Sequence, residues 1–341
     1  MERRQSKKSQ YAHCDVVFES AQMRASDLPV DIVMKARLSA VLLLAIVFSA
    51  TPLCAAEQPE LHRHTVMADG HPIALWEKSA EGAIEAVLLV HGRTWSARPD
   101  FDLQVEGEDL SLMNGLVEAG YAVYAVDLRG YGETPRDETG WLTPNRAADD
   151  VAIVLSWIAE AGSWRIKPHL FGWSMGSTIS QLAIQRHPDV AASLTLFGYW
   201  RDDDLEIPAD EPGIEPARAI NTAEAAASDF IVPGAISQKA IDAYVAQSLA
   251  ADPVRVDVLH MDQYNALDAA RIELPTLVIA GEADPLAPAD ILAKLFVRLA
   301  TGHKQYVSVP GGDHAAFLET PRAYFIHELT SFLQGVSLNH P

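Results

Sequence analysis

Cysteine is nearly absent from this chain of 341 residues, and so is surplus positive charge. The two cysteines, Cys14 and Cys54, both fall within the first 56 residues. From Glu57 onward the chain must fold without disulfide staples, and it carries no free thiol to oxidise. Lys and Arg number 26 against 46 Asp and Glu, a formal net charge of −20. That balance excludes a nucleic-acid partner, because neutralising phosphates requires basic surface. It equally excludes adhesion to anionic lipid, and the acidity reads most simply as solubility. Metal-binding motifs are missing too. There is no H-E-x-x-H, and the closest approach to a ligand pair, His62-x-His64, reads as two surface residues on one side of a strand. The expectation is no metal and no cofactor. Repeats and low-complexity tracts are also lacking.

The first 56 residues differ from the rest. They hold seven Lys and Arg against five Asp and Glu, a net of +2, so the remainder carries −22. Residues 1–33 are polar and without a clear period, and read as an upstream extension ahead of a start at Met34. Residues 34–56, MKARLSAVLLLAIVFSATPLCAA, have a basic start, an apolar run and a small-residue end. That layout predicts a secretory signal peptide cleaved after Ala56, and so an exported protein, periplasmic or secreted. The uncharged run from Leu38 to Ala56 is long enough to leave an uncleaved membrane anchor open. Pro52-Leu53 fits poorly before a lipidated cysteine at position 54. Once the signal is removed, no membrane contact is expected.

Beyond Glu57, short apolar runs alternate with longer helical patterns, which predicts a mostly parallel sheet with helices on both faces. HRHTVMA and HPIALWEK, joined through Asp69-Gly70, read as an opening hairpin. AVLLVHG (Ala86 to Gly92) is a fully apolar buried strand, and YAVYAVDLRG (Tyr121 to Gly130) follows a helix around Leu110 to Ala119. A helix over Asn145 to Ala161 takes Asn145 as its candidate N-cap. HLFGW then leads into a helix from Met175 to Arg186. SLTLFGYW, PTLVIAG and KQYVSVPGG follow as strands, and a helix from Pro321 to Leu333 closes the chain. Between Arg201 and Arg271 the alternation stops. Seventy residues without a strong strand are too many for a loop, so a helical cap inserted late in the sheet is expected. The organisation is therefore a core of residues 57–200 and 272–341 with a cap of residues 201–271.

Within HLFGWSMGSTIS, Ser174 lies between Gly172 and Gly176 in a G-x-S-x-G pattern, after a strand and ahead of a helix. That context predicts a serine held on a strained turn, its Oγ exposed at a helix N-terminus where the Met175 N–H faces developing negative charge. Other motifs follow the predicted strands in order: His91-Gly92-Arg93, Asp127-Leu128-Arg129-Gly130-Tyr131-Gly132, Gly281-Glu282-Ala283-Asp284-Pro285, and Gly311-Gly312-Asp313-His314. Together these residues resemble the α/β-hydrolase family, over nearly the whole chain from about Leu61. The resemblance implies a Ser–Asp–His triad in that order, here Ser174, Asp284 and His314. It also implies an oxyanion hole built from the backbone N–H groups of Arg93 and Met175. Glu282 and Asp202 to Asp204 are rival positions for the acid. His91 is expected to support the oxyanion loop, and Asp127 and Arg129 to tie loops together. The Arg93 guanidinium either faces substrate or closes a plain salt bridge. Trp95 and Trp173 are candidate pocket-lining residues, with the core as their alternative place.

A serine at this position implies acyl transfer rather than the alkyl-enzyme chemistry of aspartate-nucleophile relatives. Hydrolysis of small-molecule carboxylic esters is the leading expectation. An amidase or aminopeptidase, a C–C bond hydrolase, and a lactonase or thioesterase share the same machinery and remain open. The acidic run from Asp202 to Glu211 offers an amine-binding element to the aminopeptidase reading, against the plainer one of a solvated loop. A non-catalytic binding protein on the same fold is the alternative from another class.

Overall fold

The computed structural model describes residues 59–213 and 217–339. The expected extension, signal segment and cleavage point lie outside the described residues. Eight strands form one sheet: β1 (His62–Ala68), β2 (His71–Ser79), β3 (Ala86–Val90), β4 (Ala122–Val126), β5 (His169–Trp173), β6 (Ser193–Phe197), β7 (Thr276–Gly281) and β8 (Lys304–Val309). Their order is β1-β2-β4-β3-β5-β6-β7-β8. β1 and β2 pair antiparallel, with Ala68 opposite His71, and β2 pairs antiparallel with β4. Every other pairing is parallel. The opening hairpin turns on Asp69 and Gly70, whose φ values of +49° and +79° are what a tight two-residue turn between right-twisted strands demands.

The apolar runs are central strands because both of their faces are covered. Alternate residues enter two separate cores. Leu88, Val90, Val126, Leu170, Leu194 and Val278 face one, packed against α3 (Pro144–Ala161) and α4 (Met175–Arg186). Val87, Leu89, Val123, Phe171, Phe197 and Ile279 face the other, with α2 (Leu112–Glu118) and α8 (Arg322–Leu338). A short α1 (Ala97–Phe101) sits between β3 and α2. Two boundaries differ from the sequence reading. Thr143 stands at the N-cap position of α3 without a side-chain capping bond, with Pro144 in the first turn, so Asn145 lies inside the helix; proline's fixed φ and missing N–H suit that position. The closing helix runs five residues further than expected, since Val336 and Ser337 are still buried.

Between β6 and β7 the described residues hold α5 (Ala223–Ala227), α6 (Gln238–Ala251) and two 3-10 turns, Met261–Ala266 and Ala269–Arg271. Ala240 and Tyr244 of α6 enter the α2/α8 core, while Val256, Val258 and Tyr264 enter the other. The segment thus shares both cores of the sheet instead of building one of its own. After β7 comes α7 (Ala289–Arg298), which buries Leu292 and Leu295. No helix among the described residues is long and apolar enough to cross a membrane.

Candidate active site

The candidate triad and oxyanion-hole residues lie just past the C-terminal ends of parallel strands, where an open α/β sheet leaves a crevice. Ser174 follows β5 directly and starts α4. Its φ of +54° and ψ of −119° are strained for a residue with a side chain. Two neighbours make the turn possible. A Cβ on Gly172 would strike the Gly176 carbonyl, and one on Gly176 would strike the Val90 and His91 carbonyls. The Ser174 N–H is tied to the Phe197 carbonyl at 2.9 Å. As the first residue of α4, Met175 has an N–H without an intrahelical acceptor.

The loop after β3 brings Arg93 to the same place. His91 is fully buried; its Nδ1 meets the Gly92 carbonyl at 2.8 Å, and its Nε2 accepts the Leu128 N–H at 3.1 Å. Burial holds His91 down to about 4, so the ring is neutral at pH 7 and joins two loops as the sequence led us to expect. Thr94, next to Arg93, has φ +95°, an outlier for a β-branched residue, and its N–H reaches the Tyr131 hydroxyl at 3.4 Å. Asp127 anchors the loop from behind. Its carboxylate accepts the Trp76 indole at 2.9 Å, the Ala97 N–H at 3.0 Å and the Glu133 N–H at 3.0 Å, and burial raises it to about 6. Arg129 forks onto buried Asp150 through Nε at 2.6 Å and Nη2 at 2.8 Å.

His314 Nδ1 lies 2.8 Å from Asp284 Oδ2, both side chains being buried. The other carboxylate oxygen accepts the Leu286 N–H at 2.8 Å. With Nδ1–H donating to Asp284, Nε2 keeps the lone pair a general base needs. The rival acids are engaged elsewhere. Glu282 accepts the Gly311 N–H at 3.0 Å, Asp202 pairs with Lys294 at 3.0 Å, Asp203 accepts the Tyr199 hydroxyl at 3.2 Å, and Asp204 pairs with Arg298 at 2.6 Å. Asp202 to Asp204 are therefore occupied by basic and hydroxyl partners.

A cavity of about 470 Å³ opens beside Ser174, lined by Arg93, Met175, Trp200, Met261, Leu286 and Ile291 together with Pro285 and Pro288. Trp95 and Trp173 are not among its walls, which corrects their assignment to the pocket. Both are buried, at 1% and 3% exposure, because their indoles serve the core and the loops. Trp173 donates Nε1 to the His314 carbonyl at 2.7 Å, and its ring lies 5.6 Å from the imidazole. It seats the histidine from behind.

Three residues that sequence reasoning missed complete the support of His314. Gly198, at φ +62°, lies where a Cβ would come within 2.8 Å of His314 Cε1. Asp313 accepts the Ile231 and Val232 N–H groups, each at 2.6 Å, which fastens the β6–β7 segment to the histidine loop. Glu319 accepts the Asp313 N–H at 2.9 Å, and burial lifts it to about 8. Only the glycine in SLTLFGYW had a visible signal, a strand-ending Gly beside the nucleophile's strand. The two acids depend on contacts between distant segments. As for metals, His64 Nε2 meets Glu77 at 2.6 Å. The cluster of ligand type among the described residues is Asp210, His260 and Asp262, within the β6–β7 segment, brought together across 50 residues of sequence.

The chain is similar to several known proteins. Residues 83–321 match the model of a family described as serine aminopeptidase, S33. The pimeloyl-[acyl-carrier protein] methyl ester esterase of Aeromonas salmonicida is 26% identical over 258 residues, covering 64% of this chain and 93% of that protein. Among solved structures, a hydrolase from Pseudomonas aeruginosa superposes with a TM-score of 0.59 at 20% identity, covering 80% of this chain and 98% of its own. A thermophilic esterase from Thermogutta terrifontis gives 0.56 at 21%, covering 82% and 100%.

Proposed function

Because the chain belongs to the family described as serine aminopeptidase, S33, within the α/β-hydrolases, we propose that it hydrolyses carboxylic esters of small molecules through an acyl-enzyme on Ser174. What carries this reading is one conjunction: a strained, half-buried serine at the head of α4, and a buried imidazole whose Nδ1 is held 2.8 Å from Asp284. His314 Nε2 takes the Ser174 proton as Oγ attacks the ester carbonyl. The oxyanion then sits between the N–H groups of Arg93 and Met175, which require no side chain for this work. His314 returns the proton to the departing alcohol. A water activated by the same imidazole cleaves the acyl-enzyme, releasing the acid and freeing Ser174. Asp284 fixes the ring and stabilises its cation.

Two observations favour esters over peptides with a free N-terminus. The curated relative is an esterase, and among the described residues no carboxylate lines the cavity beside Ser174 to receive an ammonium group. The reading also includes export after cleavage near Ala56, supported by the signal-like layout of residues 34–56 and the absence of cysteine beyond them. The test is a matched pair, p-nitrophenyl butyrate against alanine p-nitroanilide. The proposal expects turnover of the ester with a burst of nitrophenol and little or none of the anilide. Preferential cleavage of the anilide would move the function to aminopeptidase chemistry.

A further inference from the structure

Among the described residues, the walls of the cavity beside Ser174 are apolar apart from Ser174 itself and Arg93. Trp200, Met261, Leu286 and Ile291 present hydrocarbon and indole, and the one formally charged residue among its walls is Arg93. A guanidinium in such a place normally answers to a carboxylate of the protein. This one does so only loosely. Its nearest partner is Asp257, with Arg93 Nη2 at 4.0 Å from Oδ1. Asp257 is already engaged by Arg255 Nε at 3.5 Å and by the Ala219 N–H at 3.1 Å. The Arg93 side chain donates no hydrogen bond among the described residues, and it is 42% exposed. The cationic fork thus stands at the edge of the cavity with its donors unused. The chain carries a net charge of −20, and nearby Asp202 and Asp204 are already paired to Lys294 and Arg298, so this cation has no close carboxylate of its own.

We propose that Arg93 makes this site selective for esters whose apolar chain ends in a second, ionised carboxylate, such as the monoesters of aliphatic dicarboxylic acids. The inference rests on the ester hydrolysis proposed above and adds the chemical class of its substrate. The planar guanidinium offers two parallel N–H donors, a match for one carboxylate, whereas the methylene chain is covered by Met261, Leu286 and Ile291. The volume, about 470 Å³, is that of a small-molecule site. Arg93 then has two separate parts in the reaction. Its backbone N–H faces the oxyanion, and its side chain selects the substrate.

The test compares p-nitrophenyl monoadipate with p-nitrophenyl methyl adipate, its neutral methyl ester, at low ionic strength. The quantity read is the ratio of their kcat/KM values in the wild type, Arg93→Met and Arg93→Lys. A charge-assisted contact at a partly exposed site predicts a wild-type ratio of about 10 in favour of the anionic ester. Arg93→Met brings the ratio to about 1 or below, and Arg93→Lys recovers part of it, since a lysine retains charge without the fork. A wild-type ratio at or below 1, or one unchanged in Arg93→Met, overturns the inference while leaving ester hydrolysis standing. Binding of monomethyl adipate to Ser174→Ala and to Ser174→Ala/Arg93→Met, by calorimetry, supplies an arm that needs no turnover. Affinity lower by about 10-fold in the double variant supports the role of the guanidinium, and equal affinity refutes it.

Discussion

Replacing Gly198 by alanine tests how closely the backbone after β6 is fitted to the histidine. The new methyl group would lie 2.8 Å from His314 Cε1 and 3.1 Å from Nδ1. Ordinary contact begins near 3.4 Å, so the ring must retreat by roughly 0.6 Å. It cannot do so freely. Trp173 holds the His314 carbonyl at 2.7 Å, and Asp284 holds Nδ1 at 2.8 Å. Two costs follow. Alanine at φ +62° is worth about 1 kcal/mol of backbone strain, which for a protein of this size lowers Tm by about 2–4 °C. Displacing the general base by a fraction of an ångström costs on the order of 10- to 100-fold in kcat, by the sensitivity of proton transfer to geometry. Stopped-flow acylation with p-nitrophenyl butyrate, read beside differential scanning calorimetry, separates the two. Full acylation rate in a normally folded Gly198→Ala protein would refute the placement of His314 as the base.

Other perturbations follow from the same geometry. Asp284→Asn replaces the acceptor for the His314 Nδ1 proton with an amide, and kcat for esters should fall on the order of 10³–10⁴-fold with the fold intact by circular dichroism. Asp313→Ala strips the acceptor from the Ile231 and Val232 N–H groups, and should cost about 1–3 kcal/mol in urea unfolding together with faster amide exchange at those two residues. Glu319 sits near 8 in the folded protein because of burial, against an ordinary value of 4.5. The native state therefore binds the extra proton between those values, and stability falls as pH rises through that window. Glu319→Gln should flatten this slope and stabilise by roughly 1–3 kcal/mol at pH 8 with little effect at pH 4.5, as measured by urea titrations at the two pH values.

Much of this arrangement was legible because the determinants were local. Ala86 to Val90 are apolar on both faces, so burial between two helical layers follows from composition alone. Gly172, Ser174 and Gly176 announce a strained turn within five residues, and His314 stands in a glycine-rich turn after the last strand. Asp284 could be preferred over Glu282 but not isolated, because what excludes Glu282 is its contact with Gly311, 29 residues away. The pairing of Asp202 and Asp204 with Lys294 and Arg298 is likewise a long-range event. Trp95 and Trp173 show the limit most clearly. Proximity to the site in sequence suggested pocket walls, yet the direction of an indole depends on partners such as the His314 carbonyl, 141 positions distant. The cavity's actual walls, Trp200, Met261, Leu286 and Ile291, come from segments with no shared pattern.

The central claim is that Ser174 is an activated nucleophile, and intact-mass analysis after treatment with a fluorophosphonate probe tests it most directly. One adduct on the wild type, none on Ser174→Ala and slowed labelling of Asp284→Asn is the predicted result. A well-folded wild type that takes no adduct, or a Ser174→Ala variant that still does, would contradict it.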